Sequence, residues 1–220
     1  MIFNAYENRA EAGRVLADRL SHYRGERIVV LALIRGGMPV AYEVAEALDA
    51  PLDVMLVRKL GVPQRPELAF GAIASGGVVV LNEHVVEGLA LTDADLKGVV
   101  AREQAALEER EERYRGDRPA VPLARRTVIL VDDGLATGAS MRAAIEATRA
   151  RQPRKIVVAV PVGSGRACEE IAELADEVVC PLCTEEFFAV SQFYRDFSQV
   201  DDLQVRAYLQ QGHDRIAHAG

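Results

Sequence analysis

Tryptophan is absent from this chain of 220 residues, and lysine occurs only three times, at Lys59, Lys97 and Lys155. No apolar run approaches the ~20 residues that a membrane-spanning helix requires, so no membrane partner is expected. The opening residues, Met1 to Arg9, have neither a basic start nor a long apolar stretch. No signal peptide is read there, and the expected location is cytoplasmic. Positive charge is scarce: 26 basic residues face 33 acidic ones, for a formal net charge of −7. That balance argues against nucleic acid as a partner and leaves a local cluster of cations around a small phosphorylated ligand. Cysteine is scarce as well. Cys168, Cys180 and Cys183 are an odd number, so no disulfide framework is expected. Cys180-Pro181-Leu182-Cys183 is a lone C-x-x-C pair with no histidine near it in sequence. No metal site is assigned there, and the pair reads as small residues closing a strand. Internal repeats and low-complexity tracts are missing too.

What the chain does have is apolar residues, 50% of the total, enough for a sizeable core in one α/β domain with an elaboration. One stretch organises the rest. Val128-Ile129-Leu130-Val131 is an apolar run with three β-branched residues, the pattern of a strand buried on both faces. Asp132 and Asp133 follow at its C-terminal end, where open α/β sheets hold their ligands. Ala136-Thr137-Gly138-Ala139-Ser140 is then a turn of small residues before a helical pattern that runs to about Arg151. Such a turn offers backbone N–H groups and the positive end of a helix dipole to an anion. Two carboxylates beside it repel a second phosphate but can accept hydrogen bonds from a pair of sugar hydroxyls. A ribose 5-phosphate satisfies both features. For the acids alone, the plainer reading is helix capping.

This stretch resembles the phosphoribosyl pyrophosphate (PRPP) signature of the type I phosphoribosyltransferases: four apolar residues, two acids, a short spacer, then Thr-Gly and small residues. The spelling Asp132 to Gly138 is most similar to the adenine-type enzymes. Hypoxanthine-guanine enzymes usually carry an Asp before the Thr to assist proton transfer, and here that position is Ala136. Two further segments fit. Ile28 to Leu33 is a buried-strand run that ends in Ile34-Arg35-Gly36-Gly37-Met38-Pro39, before a helix from Val40 to Leu48. The resemblance makes Arg35-Gly36-Gly37 the loop that grips the diphosphate; a tight turn is the plainer alternative. Leu52 to Val57 is the next strand, and it runs into Arg58-Lys59. In the adenine-type enzymes this basic pair lies beside the pyrophosphate, whereas an exposed charged strand end is the bland reading.

The implied fold is α/β: a mostly parallel sheet flanked by helices, over residues 1–220, with a helical insertion at 82–118 and an aromatic hood at 181–200. Gly61 to Glu67 reads as a turn-rich loop, and the resemblance implies that it is a mobile lid, from which Arg65 could reach the substrate. Ala69 to Ala74 and Val78 to Leu81 read as a hairpin around Gly76-Gly77. Thr92 and Asp95 form a capping box for a long charged helix to Tyr114, read mainly as a solvated face. Pro161 to Gly165 reads as a turn at a strand's C-terminal end, a position that can line the pocket, and residues 212–220 as a frayed tail. Five of the twelve aromatic residues lie between Phe187 and Phe197. The resemblance implies that one stacks on the base, with Phe187, Phe188 and Tyr194 as candidates.

The implied activity is transfer of the 5-phosphoribosyl group from magnesium-bound PRPP to a nitrogenous base, releasing diphosphate. Asp132, Asp133, Lys59 and Arg35 are the expected catalytic group. Gly36, Gly37, Arg58, Ala136, Thr137, Gly138, Ala139 and Ser140 are the expected substrate contacts. Magnesium is expected to arrive with PRPP and to take few ligands from protein. A homodimer is the common assembly of the family, but the residues select no state. The alternative is a non-catalytic PRPP- or nucleotide-binding regulator on the same fold. A receiver-type phosphotransfer protein with paired Asp is disfavoured, since its acids follow the first strand of a shorter domain.

Overall fold

The computed structural model describes residues 6–63, 65–89 and 91–219. Helix α1, Arg9–Arg19, starts at Asn8, whose side chain accepts from the Glu11 N–H, and a 3-10 turn follows at Ser21–Tyr23. Then come β1 (Ile28–Leu33), α2 (Gly37–Leu48) and β2 (Leu52–Met55). The chain leaves the sheet at Leu56 and forms β3 (Val57–Val62), β4 (Arg65–Ala74) and β5 (Val78–Leu81). Helices α3 (Glu83–Gly88) and α4 (Asp93–Arg115) lead to β6 (Thr127–Val131) and α5 (Ala139–Arg149). The remainder is β7 (Lys155–Ala159), β8 (Val162–Ser164), α6 (Gly165–Ala172), β9 (Glu177–Val179), β10 (Leu182–Thr184) and α7 (Asp202–Ala219).

The central sheet is parallel, in the order β2-β1-β6-β7-β9. Its strands are buried on both faces, which is why they read as unbroken apolar runs rather than alternating ones. Ile28, Val30 and Ala32 of β1 join the core with α1, α2 and α7. Val29, Leu31 and Leu33 join the other core, with α5 and α6. Strand order reverses between β1 and β6, so α2 and α5 leave to opposite faces there. A crevice at such a switch point is where doubly wound sheets place ligands.

Several expectations need correction. The sequence pattern puts Val15 with Leu16 and Leu20 on the apolar side of the first helix, but Val15 is 37% exposed, since the packed stripe runs through Ala12, Leu16 and Leu20. Gly61-Val62 and Arg65 to Glu67 are strand residues rather than an open loop, and Gln64 lies outside the described residues. The expected β4–β5 hairpin forms, and β3 pairs with it into a three-stranded antiparallel sheet. Helix α4 is more than a solvated face: Val99, Leu107 and Tyr114 are buried, and Arg115 forms a buried ion pair with Asp53 of β2 at 2.8 Å. Val162 to Ser164 is a short strand paired in parallel with β10, not a turn. Residues 212–219 continue α7 instead of fraying, because Gly212 packs on Leu52 and Arg215 pairs with Asp49 at 2.7 Å.

Candidate active site

Asp132 and Asp133 sit immediately beyond β6, at the switch point. Asp132 Oδ1 accepts from the Asp133 N–H at 2.9 Å. Asp133 Oδ2 accepts from Arg9 Nε at 2.8 Å, and its side chain is 13% exposed. Each acid therefore has one oxygen held by the protein. Among the described residues, neither Asp132 Oδ2 nor Asp133 Oδ1 takes a hydrogen bond. Burial, reinforced by the charge of Asp133, pushes the Asp132 carboxyl well above the ordinary carboxylate range. Burial also raises Asp133, while the hydrogen bond and charge of Arg9 pull it back. The pair accordingly resists carrying two full charges.

The glycine loop meets these acids directly. A Cβ at Gly36 would lie 2.2 Å from Asp133 Oδ2, and one at Gly37 would lie 2.7 Å from the Val131 carbonyl oxygen and 2.8 Å from Asp132 Cα. Gly36 itself has φ −58° and ψ −38°, so proximity rather than backbone conformation requires glycine there.

Two uncapped helix ends flank the acids. The N-termini of α1, α3, α4 and α6 are capped by the side chains of Asn8, Asn82, Thr92 and Ser164, and that of α7 by Asp201. Helices α2 and α5 have no side-chain cap. Their N–H groups and dipole ends are thus available at the switch point, which is what an anion needs. Gly138 begins α5 at φ +73°, a conformation that suits glycine. The preceding residues are fixed by β8: Leu135 N–H donates to the Val162 carbonyl, and Ser164 Oγ donates to the Ala136 carbonyl at 2.8 Å.

The cationic residues divide. Lys59 lines a cleft of about 790 Å³ whose walls include Thr137, Ser140, Asn82, His84 and Arg142. The acids do not line this cleft, so the turn faces it while the acids face Gly36 and Arg9. Arg58, the other half of the basic pair, points the opposite way on β3 and is taken by Glu103 of α4 at 2.6 Å. Arg35 leans toward Asp202 at 3.6 Å, a long and half-exposed pair. Arg65 is exposed on β4.

The hood residues also separate. Tyr194 is 4% exposed and its hydroxyl donates to the Asp133 carbonyl at 2.6 Å, so it supports the acids and offers no open ring face. Phe187 is half-buried against Phe193 with ring centres 5.2 Å apart. Phe188 is 92% exposed. The three cysteines are free thiols, and Cys168 and Cys180 crowd Gly163, where a Cβ would lie 2.5 Å and 3.1 Å from their sulfurs. Among the described residues, no group of three or more His, Cys, Asp or Glu is arranged to hold a metal.

Arg9 escaped the sequence reading altogether. Its one signal is an unfavourable position: it is the first residue of α1, where the helix dipole disfavours a cation.

A phosphoribosyl transferase domain model matches residues 2–198, which takes in the acid pair, the turn and both uncapped helix ends. This chain belongs to that family. Two Mycobacterium tuberculosis proteins, from strains H37Rv and CDC 1551 and each provisionally named a phosphoribosyl transferase, are 49% identical over 215 residues. The match covers 98% of this chain but 48% of theirs, so the chain spans about half the length of these curated relatives. The crystal structure of TT1426 from Thermus thermophilus is 44% identical, with a TM-score of 0.82 over 94% of this chain and 98% of that one. The two chains thus share one fold along almost the whole of their length. No helix among the described residues is long and apolar enough to cross a membrane.

Proposed function

We propose that this domain transfers the 5-phosphoribosyl group of PRPP to a nitrogenous base and releases diphosphate. The observation that carries the reading is the coincidence of two uncapped helix N-termini with an acid pair that keeps one free oxygen on each carboxylate. The 5-phosphate is assigned to the N–H groups of Ala136 to Ser140. The two ribose hydroxyls are assigned to Asp132 Oδ2 and Asp133 Oδ1. The diphosphate is assigned to the α2 end at Gly36 and Gly37, with Arg35 and Lys59 as its cations. Arg58 is a weaker candidate contact because Glu103 holds it.

Chemically, the diphosphate leaves as positive charge develops at the anomeric carbon. The carboxylates stabilise that charge, and Lys59 and Arg35 stabilise the departing anion. The donor set suits magnesium that enters with PRPP and is held mainly by diphosphate and sugar oxygens: among the described residues there is no closed protein cage for it. Bound there, the ion would neutralise diphosphate charge. Of the three aromatic candidates for stacking on the acceptor, Phe188 retains an open ring face. Ala136 leaves the hypoxanthine-type proton relay unfilled.

The test is diphosphate release from PRPP and magnesium with a panel of purine and pyrimidine bases and a no-base control. Release that depends on one base establishes the transferase and identifies its acceptor. PRPP binding with no release for any base would favour a regulatory PRPP-binding protein instead.

A further inference from the structure

Arg9 lies 124 residues before Asp133 in sequence, yet it is the side chain that holds this acid. The guanidinium is fixed on three sides. Nε donates to Asp133 Oδ2 at 2.8 Å, Nη1 donates to the Ser198 carbonyl at 2.8 Å, and the Phe197 ring lies beneath it with 3.8 Å from Cζ to the ring centre. Arg9 is 9% exposed. A planar fork held in this way can move little, and neither can the carboxylate it grips.

The surroundings lock both partners. Residues 193–198 run beside residues 6–9: Tyr6 N–H donates to the Phe193 carbonyl, Arg195 N–H to the Tyr6 carbonyl and Asp196 N–H to the Glu7 carbonyl. Tyr194 of the same segment fixes the Asp133 carbonyl through its hydroxyl. On the far side Asp133 Oδ2 lies against the bare backbone of Gly36, where a Cβ would come within 2.2 Å of it. Asp133 Oδ2 is therefore enclosed by Arg9 and Gly36, while Oδ1 takes no hydrogen bond from the described residues.

We infer that Arg9 is a positioning residue for the ribose subsite: it orients Asp133 so that Oδ1 meets a sugar hydroxyl, and it supplies the cation that lets two adjacent, partly buried carboxylates coexist. Arg9 acts through Asp133 and touches no substrate itself. The inference rests on the proposed assignment of ribose to the acids. It adds a requirement that neither the turn nor the glycine loop contains: the docking of residues 193–198 on residues 6–9 is part of the sugar site.

The requirement is selective, which makes it testable. Without Arg9, Asp133 can rotate, and the acid pair is left with no countercharge among these contacts. Ligands that bear the ribose diol should suffer, and diphosphate, assigned to Arg35, Lys59 and the α2 end, should not. The experiment measures calorimetric binding of ribose 5-phosphate and of magnesium diphosphate to wild type, Arg9→Ala and Arg9→Lys. A charged hydrogen bond of this kind corresponds to a loss on the order of ten- to a hundredfold in ribose 5-phosphate affinity for Arg9→Ala. Diphosphate affinity should stay within about threefold, a span smaller than one ordinary hydrogen bond. Lysine keeps the charge but cannot span both Asp133 and Ser198, so its loss should be intermediate. Millimolar guanidinium ion should restore part of the ribose 5-phosphate affinity of Arg9→Ala. Thermal unfolding identifies a variant that fails to fold; if Arg9→Ala does, the Lys variant carries the same comparison. Unchanged ribose 5-phosphate affinity, or equal losses for both ligands with no rescue, overturns the inference alone. Failure of the wild type to bind either ligand overturns the PRPP assignment and this inference with it.

Discussion

Gly36→Ala isolates the contact between the glycine loop and the acid pair. The backbone at Gly36 is already in the right-handed helical region, so alanine imposes no conformational strain. The new methyl carbon would stand 2.2 Å from Asp133 Oδ2 and 2.8 Å from its Cγ, against the 3.4 Å of ordinary contact. The carboxylate must therefore retreat by about 1.2 Å, and a misplacement near 1 Å at a reacting centre costs on the order of a hundredfold. The same movement strains the Arg9 ion pair, because Oδ2 is the atom that Arg9 holds. We expect magnesium–PRPP affinity, measured by calorimetry, to fall by roughly ten- to a hundredfold, as loss of a charged hydrogen bond implies. The fold should survive, since the obstructing atom belongs to a side chain. Gly37→Ala is the contrast: its methyl group meets the Val131 carbonyl oxygen and Asp132 Cα, main-chain atoms that cannot step aside, so that variant should unfold at markedly lower temperature. A Gly36→Ala protein that binds PRPP within threefold of wild type would refute the placement of Asp133 at the ligand.

Three other outcomes are expected. Lys59→Ala, which removes a cation from the cleft wall, should lower turnover efficiency about ten- to a hundredfold, the value of a charged hydrogen bond to diphosphate; an unchanged kcat/KM moves the diphosphate elsewhere. Asp132→Asn should make the unliganded protein more stable at neutral pH. The raised Asp132 carboxyl contributes stability that is complete below the ordinary carboxylate value and is lost as pH rises through its folded value, so the advantage of the variant should vanish on acidification. Thermal melts from mildly acidic to neutral pH read this directly, and a variant less stable than wild type at neutral pH contradicts it. Asp53→Ala should cost about 3–5 kcal/mol, because the Val121 N–H loses its acceptor and the buried Arg115 charge keeps only Glu111, at 3.2 Å, and the Val54 carbonyl as partners. That corresponds to a fall of roughly 6–20 °C in Tm, and a fall of a degree or two would show that α4 is not pinned through this pair.

Features that rest on local pattern were legible before any folding was considered. Ile28–Leu33 is a strand to the residue, because a strand buried on both faces must be apolar throughout. The Thr92–Asp95 capping box starts α4 where expected, because its bonds span three residues. The order of acids, turn and helix from Asp132 to Ser140 follows from the chain alone, and so does the family. Tertiary structure decided which side chains complete the site. Arg58 and Lys59 are adjacent, but alternate residues of a strand face opposite sides, so Glu103 takes one and the cleft receives the other. Tyr194 belongs to an aromatic cluster whose composition suits a ring platform, and only its packing shows it buried beneath Asp133. The tail of α7 holds together through Gly212 on Leu52 and Arg215 on Asp49, partners more than 150 residues away. Arg9 meets Asp133 across 124 residues, a contact that no local periodicity, cap or turn encodes, because it exists only once the two ends of the chain are packed against the switch point.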